Sequence, residues 1–264
     1  EEKFGDYVDA TWAIEQLRAK HDKPFFLAVG LYRPHVPWYA PQRFFDDRPL
    51  AKLQLPEVRD DDRDDLPQAA IDLTDNPTPP SHDWFVKNEQ WKPAVQAFLA
   101  SSSFTDAQVG RIMAALDQSP HADNTIVVLF SDHGFHLGEK QRWAKQSLWE
   151  RSTRVPFIIL TPGQREPQRC TRPVELLSIY PTLLELCGLP LRDELEGTSI
   201  APLLENADAN WERPAITTYQ QNNHAIRSEH WRYIRYADGS EELYDHRNDP
   251  HEWNNLAGDS KYAD

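Results

Sequence analysis

The chain has 264 residues, enough for one large or two modest domains. Hydrophobic residues make up 39% and aromatics 11%, with nine Trp, a composition too rich in large apolar side chains for a disordered polymer. The formal net charge of -14 argues against a nucleic-acid partner, whose phosphates call for a basic surface, and against unaided docking on an anionic membrane. It leaves room for an anionic substrate where the site is locally cationic or holds a metal.

In chain order, Phe4, Tyr7, Val8, Ile14 and Leu17 recur at helical spacing, which predicts an amphipathic helix over 4–20. Pro24 precedes a continuous apolar run, Phe25 to Val29, expected to be a strand buried on both faces. Pro34, Pro37 and Pro41 then stiffen a turn-rich stretch around His35, Trp38 and Tyr39. Asp46 to Trp91 is rich in Asp and Pro and weakly periodic. It is expected to be a long surface excursion, with 59–65 solvated. Val95 to Leu116 carries the pattern of a long helix. Thr125 to Phe130 and Pro156 to Leu160 are predicted buried strands, separated by a polar, aromatic loop, Ser131 to Arg154. A helix over Ile179 to Cys187 ends at Gly188, with Cys187 expected as a small buried hydrophobe. A disulfide between Cys170 and Cys187 has no support in the sequence.

After Pro214 the pattern changes. Short strands are predicted at 215–220, 224–228, 231–236 and 242–244, with turn chemistry at Asn222-Asn223 and Asp238-Gly239. The expected fold is α/β. A mostly parallel sheet flanked by helices occupies 1–210, and a small antiparallel subdomain occupies 211–264. No apolar stretch is long enough to span a bilayer. No signal peptide is visible, and the opening Glu1-Glu2-Lys3-Phe4 already borders a helix, as if inside a longer protein.

The strongest chemical signal is Ser131-Asp132-His133-Gly134, delivered at the carboxyl end of a predicted strand, where ligands bind in open α/β sheets. Asp132 and His133 are candidate metal ligands, evenly weighed against a turn in which Asp132 caps backbone amides. His35 lies just past the first apolar run in its proline-stiffened loop. Lys145, between Trp143 and Trp149, is a candidate to hold an anion, against the commoner case of a solvated ammonium with its stem packed on the aromatics. His136, Arg142 and Arg151 are weaker candidates of the same kind. Residues alone imply no more than an anion site with a metal at a strand end.

The ordered set of segments resembles the sulfatase family of the alkaline phosphatase superfamily. It comprises Lys23 to Gly30 with Arg33-Pro34-His35-Val36-Pro37, Phe98 to Ser101 with Asp106 to Arg111, Ser131 to Gly134 through Trp143-Ala144-Lys145, Arg154 to Ile159, Ser178 to Leu183, and Glu242 to Asp245 with Asn248 to Leu256. His133, where many members carry Asn, resembles iduronate-2-sulfatase-like enzymes. The resemblance implies a sulfuric ester hydrolase acting on a sulfated substrate, with a sulfated sugar as the class. It implies Asp132 and His133 as ligands of a divalent ion, calcium in most members. His35 and Lys145 are implied as sulfate contacts, with His35 as the acid that protonates the leaving alcohol. A periplasmic, secreted or lysosomal-type compartment goes with it.

The family's Cys/Ser-x-Pro-x-Arg motif, source of its formylglycine nucleophile, is absent from these residues, as is the N-terminal Asp pair that completes the metal site. The expectation is a C-terminal portion of a longer enzyme, inactive without the upstream half. Two other readings remain open at this point. One is a phosphoric ester or phosphonate hydrolase of the same superfamily; the other is a non-catalytic carbohydrate-binding fragment using Trp38, Tyr39, Trp84 and Trp143.

Overall fold

The computed structural model describes residues 1–75, 79–164 and 166–262. In chain order the helices are α1 (Gly5–Arg18), α2 (Gln42–Asp46), α3 (Gln68–Thr74), α4 (His82–Lys87), α5 (Trp91–Asp117), α6 (Glu150–Thr153), α7 (Ile179–Leu186) and α8 (Ala201–Glu205). The strands are β1 (Val127–Phe130), β2 (His136–Leu137), β3 (Trp143–Ala144), β4 (Phe157–Leu160), β5 (Ala215–Thr218), β6 (His224–Arg227), β7 (Trp231–Arg235) and β8 (Glu241–Asp245). Two compact units emerge: Glu1–Pro56, His82–Val127 and Leu160–Gly163 form the first; Glu57–Ser81, Val128–Ile159 and Gln164–Asp264 form the second.

In the first unit α1 packs on α5. Ile14 and Leu17 meet Ala115 and Leu116, with Leu27 and Val127 against them. A second cluster, Phe44, Ala100 and Phe104, seats α2 on the same long helix. Each of the larger side chains here, Ile14, Leu17, Leu116, Phe44 and Phe104, contributes roughly 1.5–3 kcal/mol on removal from water. Residues 25–29 form no strand in any of the sheets among the described residues, against expectation, and Phe26 stands 83% exposed. A strand needs a ladder partner for its amides, and no other segment of the described residues supplies one here.

In the second unit β1 pairs with β4. The apolar runs had suggested burial on both faces. Instead β4 alternates, Phe157 and Ile159 half-buried and Ile158 and Leu160 exposed, and Phe130 ends β1 at 50% exposure. The C-terminal sheet agrees closely with its pattern: β5-β6-β7-β8, each pair antiparallel, with Ile216 opposite Ile226 and Ile234 opposite Glu242. Gly239 supplies the positive φ (88°) of the β7–β8 turn, which a side chain resists. The buried face of this sheet, Ala225, Ile234, Tyr236 and Tyr244, closes on Leu148, Trp149 and Ala70.

Two further expectations are corrected. The 59–65 run is not simply solvated: Asp62 is 1% exposed. Cys187 is exposed rather than buried, as is Cys170, and both are free. Cys187 caps α7 after its last apolar turn, so its side chain leaves the packed face of that helix. No helix among the described residues is long and apolar enough to cross a membrane.

Candidate active site

Asp132 and His133 follow β1 directly. Gly134 fixes the backbone there: its N–H donates to the Ser152 carbonyl at 2.7 Å, and a Cβ at this position would lie 2.1 Å from the Arg151 carbonyl oxygen. Only glycine permits that approach, which holds the 131–134 turn against the start of α6. His133 Nδ1 lies 2.8 Å from the Gly134 carbonyl oxygen. A carbonyl only accepts, so Nδ1 carries the proton and Nε2 keeps its lone pair in the neutral ring. That lone pair sits 3.5 Å from Asp132 Oδ2, and the Asp132 carboxylate is 81% exposed.

Asp132, His133 and Lys145 line one cleft of the second unit, about 1200 Å³ in volume, together with Arg154, Arg172 and Arg227. Most of these cations are already matched. Arg172 pairs with Glu229, Arg227 with Glu150 at 3.3 Å, and Arg154 with Glu150 at 3.7 Å. Lys145 has no ion pair among the described residues, so its charge is uncommitted inside the cleft. His35 belongs to the first unit. It is exposed; its Nδ1 lies 2.7 Å from the Val36 carbonyl oxygen, and its ring packs 4.9 Å from that of Tyr32. Buried Asp6 accepts from the amides of Tyr32 and Arg33 at 2.7 and 3.1 Å, Thr105 donates to the Arg33 carbonyl at 2.9 Å, and Trp38 Nε1 donates to Pro34. The His35 loop is thus pinned by α1 and α5, with the imidazole exposed.

Lys145 stands on a strained stretch. Lys140, Gln141 and Ala144 all have positive φ (56°, 52° and 78°), each costing on the order of 1–3 kcal/mol. A buried network holds them. Lys140 is 2% exposed; its ammonium meets Asp62 at 2.7 Å, donates to the Glu252 carbonyl, and lies 5.7 and 5.3 Å from the Trp149 and Tyr244 rings. Beyond it, Arg232 donates to the Leu148 carbonyl at 2.9 Å, pairs with Glu150, and faces Glu252 at 2.6 Å; His246 meets Glu252 at 3.0 Å. Burial pushes the Glu252 carboxyl up, but Arg232, His246 and the Glu150 amide outweigh it and hold it down at about 2. Glu242, wholly buried, accepts from Trp149 Nε1 at 2.7 Å and from the hydroxyls of Tyr236 and Tyr244; burial raises its pKa.

Glu150, His246 and Glu252 bring three donor atoms within 4.8 Å of one another. Two guanidiniums already neutralise this group, Arg232 on both carboxylates and Arg227 on Glu150 with its Nη2 3.2 Å from His246 Nδ1. It is an ion-pair cluster with no charge left for a cation. Asp132 and His133 are the better fit for a divalent ion: an exposed carboxylate and an imidazole nitrogen whose partner nitrogen is already fixed.

Of the weaker candidates, His136 is wholly buried between the Glu139 carbonyl and Ser147, and burial followed by the Arg142 charge pushes it down to about 3. Arg151 pairs with Glu139 at 3.3 Å. Trp143 is 2% exposed and unavailable to a sugar ring, whereas Tyr39 and Trp84 are exposed. Asp62, Lys140, Arg232 and Glu252 escaped sequence reasoning, since partners 78 and 112 positions apart leave no local signal.

Comparison with known proteins places these features. A family model described as Sulfatase matches residues 6–189, and one described as N-sulphoglucosamine sulphohydrolase, C-terminal, matches 138–264. A protein named Sulfatase from Formosa agariphila is 44% identical over 97% of this chain and 51% of its own length. Iduronate 2-sulfatase of Mus musculus is 32% identical over 64% of this chain and 36% of its own. The chain spans about half the length, or less, of these relatives. Among solved structures, one in complex with its substrate D-glucosamine-2-N,6-O-disulfate superposes with a TM-score of 0.80 at 22% identity, covering 100% of this chain and 67% of that one. The phosphonate monoester hydrolase from Silicibacter pomeroyi gives 0.85 at 22%, covering 99% and 57%. At such identity the two structures speak for the fold, α/β with a small antiparallel C-terminal sheet; the family models, together spanning the chain, speak for more. This chain belongs to the sulfatase family.

Proposed function

We propose that the protein containing this chain hydrolyses the sulfate monoester of a sulfated sugar, and that this chain supplies part of the site. The observation that carries the reading is the cleft in which His133, its tautomer fixed, and Asp132 stand with Lys145, which has no ion pair among the described residues. The substrate class rests on likeness: one neighbour was solved with a disulfated glucosamine, and another is a 2-O GAG sulfatase. Asp132 and His133 would hold a divalent ion, calcium by family, which when bound stabilises negative charge on the sulfate. Lys145 binds and orients the sulfate oxygens. His35, with its Nδ1–H on the Val36 carbonyl, would in its doubly protonated imidazolium form give the Nε2 proton to the departing alcohol and be left neutral. The nucleophile, formylglycine by family, lies outside these residues. The division into a catalytic α/β portion, 1–210, and an antiparallel subdomain, 211–264, belongs to the same proposal, as does a periplasmic, secreted or lysosomal-type compartment.

The test uses the full-length protein with a chromogenic aryl sulfate and with glucosamine 2,6-disulfate. Lys145→Ala should lower kcat/KM at least a hundredfold, and Asp132→Asn should lower both turnover and bound metal measured by elemental analysis. Unchanged kinetics in both variants would remove this cleft from the site. The fold likeness to phosphonate monoester hydrolases favours a second reading; faster turnover of a phosphonate monoester than of either sulfate would decide for it.

A further inference from the structure

Arg142 is only 6% exposed, yet among the described residues its Nε and Nη1 have no hydrogen-bond partner; its Nη2 donates to the Thr74 carbonyl at 3.3 Å. A buried guanidinium with most of its fork idle is a costly arrangement, because each stripped N–H forfeits its water. A second cation makes it costlier. Arg63 is half-buried, and its side chain has neither hydrogen bond nor ion pair among the described residues. Burial, and after it the neighbouring Arg63 charge, together lower Arg142 to about 10. Burial lowers Arg63 as well, opposed by Asp75 and Asp62. Neither acid resolves the conflict: Asp62 is taken by Lys140 at 2.7 Å, and Asp75 is exposed.

Neither Arg63 nor Arg142 lines the cleft of Asp132 and Lys145, although Tyr219, which does, is close enough to favour the Arg142 charge. Two guanidiniums close enough for the charge of one to act on the other, with donors unused, suit a sulfate, phosphate or carboxylate, which Arg grips bidentately. We propose that Arg63 and Arg142 form an oxyanion-binding site outside the sulfatase cleft, filled either by a free inorganic anion or by a second acidic group on the saccharide. The site stands independently of the proposed hydrolysis. Its arginines could bind an anion even if Lys145 proved irrelevant to turnover.

The experiment takes the full-length protein carrying Lys145→Ala, so that the cleft contributes little, and titrates it with sodium sulfate and separately with glucosamine 2,6-disulfate. Readouts are calorimetric affinity and unfolding midpoint, with sodium chloride at matched ionic strength as control, since sulfate stabilises proteins generally by exclusion from their surface. Saturable binding is expected with at least one probe, and Arg142→Met and Arg63→Gln should each weaken it at least tenfold. Binding of inorganic sulfate identifies a free-anion site; binding of the saccharide alone identifies a substrate subsite. No saturable binding of either probe, or affinity unaltered in both variants, overturns the proposal. Should Arg142→Met fail to fold, Arg63→Gln decides by itself. In crystals grown with whichever probe binds, the sulfate as selenate or the saccharide itself, an anionic group should lie between the two guanidiniums, and an empty position at saturation also overturns the proposal.

Discussion

Replacing Glu252 with Gln should remove a pH-dependent share of stability whose size follows from its surroundings. Its side chain is 3% exposed and faces Arg232 at 2.6 Å, His246 at 3.0 Å and the Glu150 amide at 2.9 Å. The carboxyl is held at about 2 against an ordinary 4.5. A depression of about 2.5 units at 1.36 kcal/mol each corresponds to ~3 kcal/mol. That agrees with the 3–5 kcal/mol expected when one partner of a buried ion pair is removed. Because the folded value lies below the unfolded one, the unfolded chain takes up the proton first. The contribution is therefore whole above pH 4.5 and is lost as pH falls toward 2. Urea unfolding of parent and Glu252→Gln should differ by ~3 kcal/mol at pH 7 and by only ~1.5 kcal/mol at pH 3. At low pH the protonated glutamic acid and the glutamine become equivalent. A gap below 1 kcal/mol at pH 7, or one that stays constant down to pH 3, would refute the assignment of this stability to the Glu252 charge.

Other substitutions test the neighbouring geometry. Gly134→Ala forces a Cβ against the Arg151 carbonyl and should cost about 2–3 kcal/mol in urea unfolding, with loss of bound metal in the full-length protein; a silent change would mean that the turn relaxes freely. Trp149→Phe withdraws one of three donors from buried Glu242 and should destabilise by about 1–3 kcal/mol, measured by thermal or urea unfolding. His136 should show no imidazole titration by NMR between pH 4.5 and 8. Since its folded value, about 3, lies below the unfolded one, its share of stability is full above pH 6.5 and declines as pH falls toward 3.

Much of this was legible from residue order. The β5–β8 sheet followed from period-two patterning and Asn-Asn and Asp-Gly turns, all local signals. Helices α1, α5 and α7 followed from apolar spacing in the same way. Asp132, His133 and Lys145 stand out in the sequence because short motifs carry them, and they share one cleft. What escaped depends on distant partners. Asp62 looked like one more solvated acid in 59–65, since nothing local marks Lys140 as its counter-ion. Phe25 to Val29 has strand composition but no ladder partner among the described residues, and composition does not encode pairing. Cys187 sits on an apolar stretch, yet helical phase at the end of α7 turned it outward.

Arg232 ties the Leu148 carbonyl and Glu150 to strand β7, and Glu252 ties the same arginine to the segment after β8. The loop bearing Lys145 therefore does not fluctuate on its own account. To open it, the chain must also release a buried guanidinium, so local opening of 147–152 is coupled to melting of the C-terminal sheet. Amide protons of that loop should then exchange at the rate of β7 rather than at the rate of a surface turn. Truncation before Glu252 would loosen the Lys145 loop without altering a residue that lines the cleft. The tail would thus bear on the cleft lined by Lys145 at a distance, through rigidity alone.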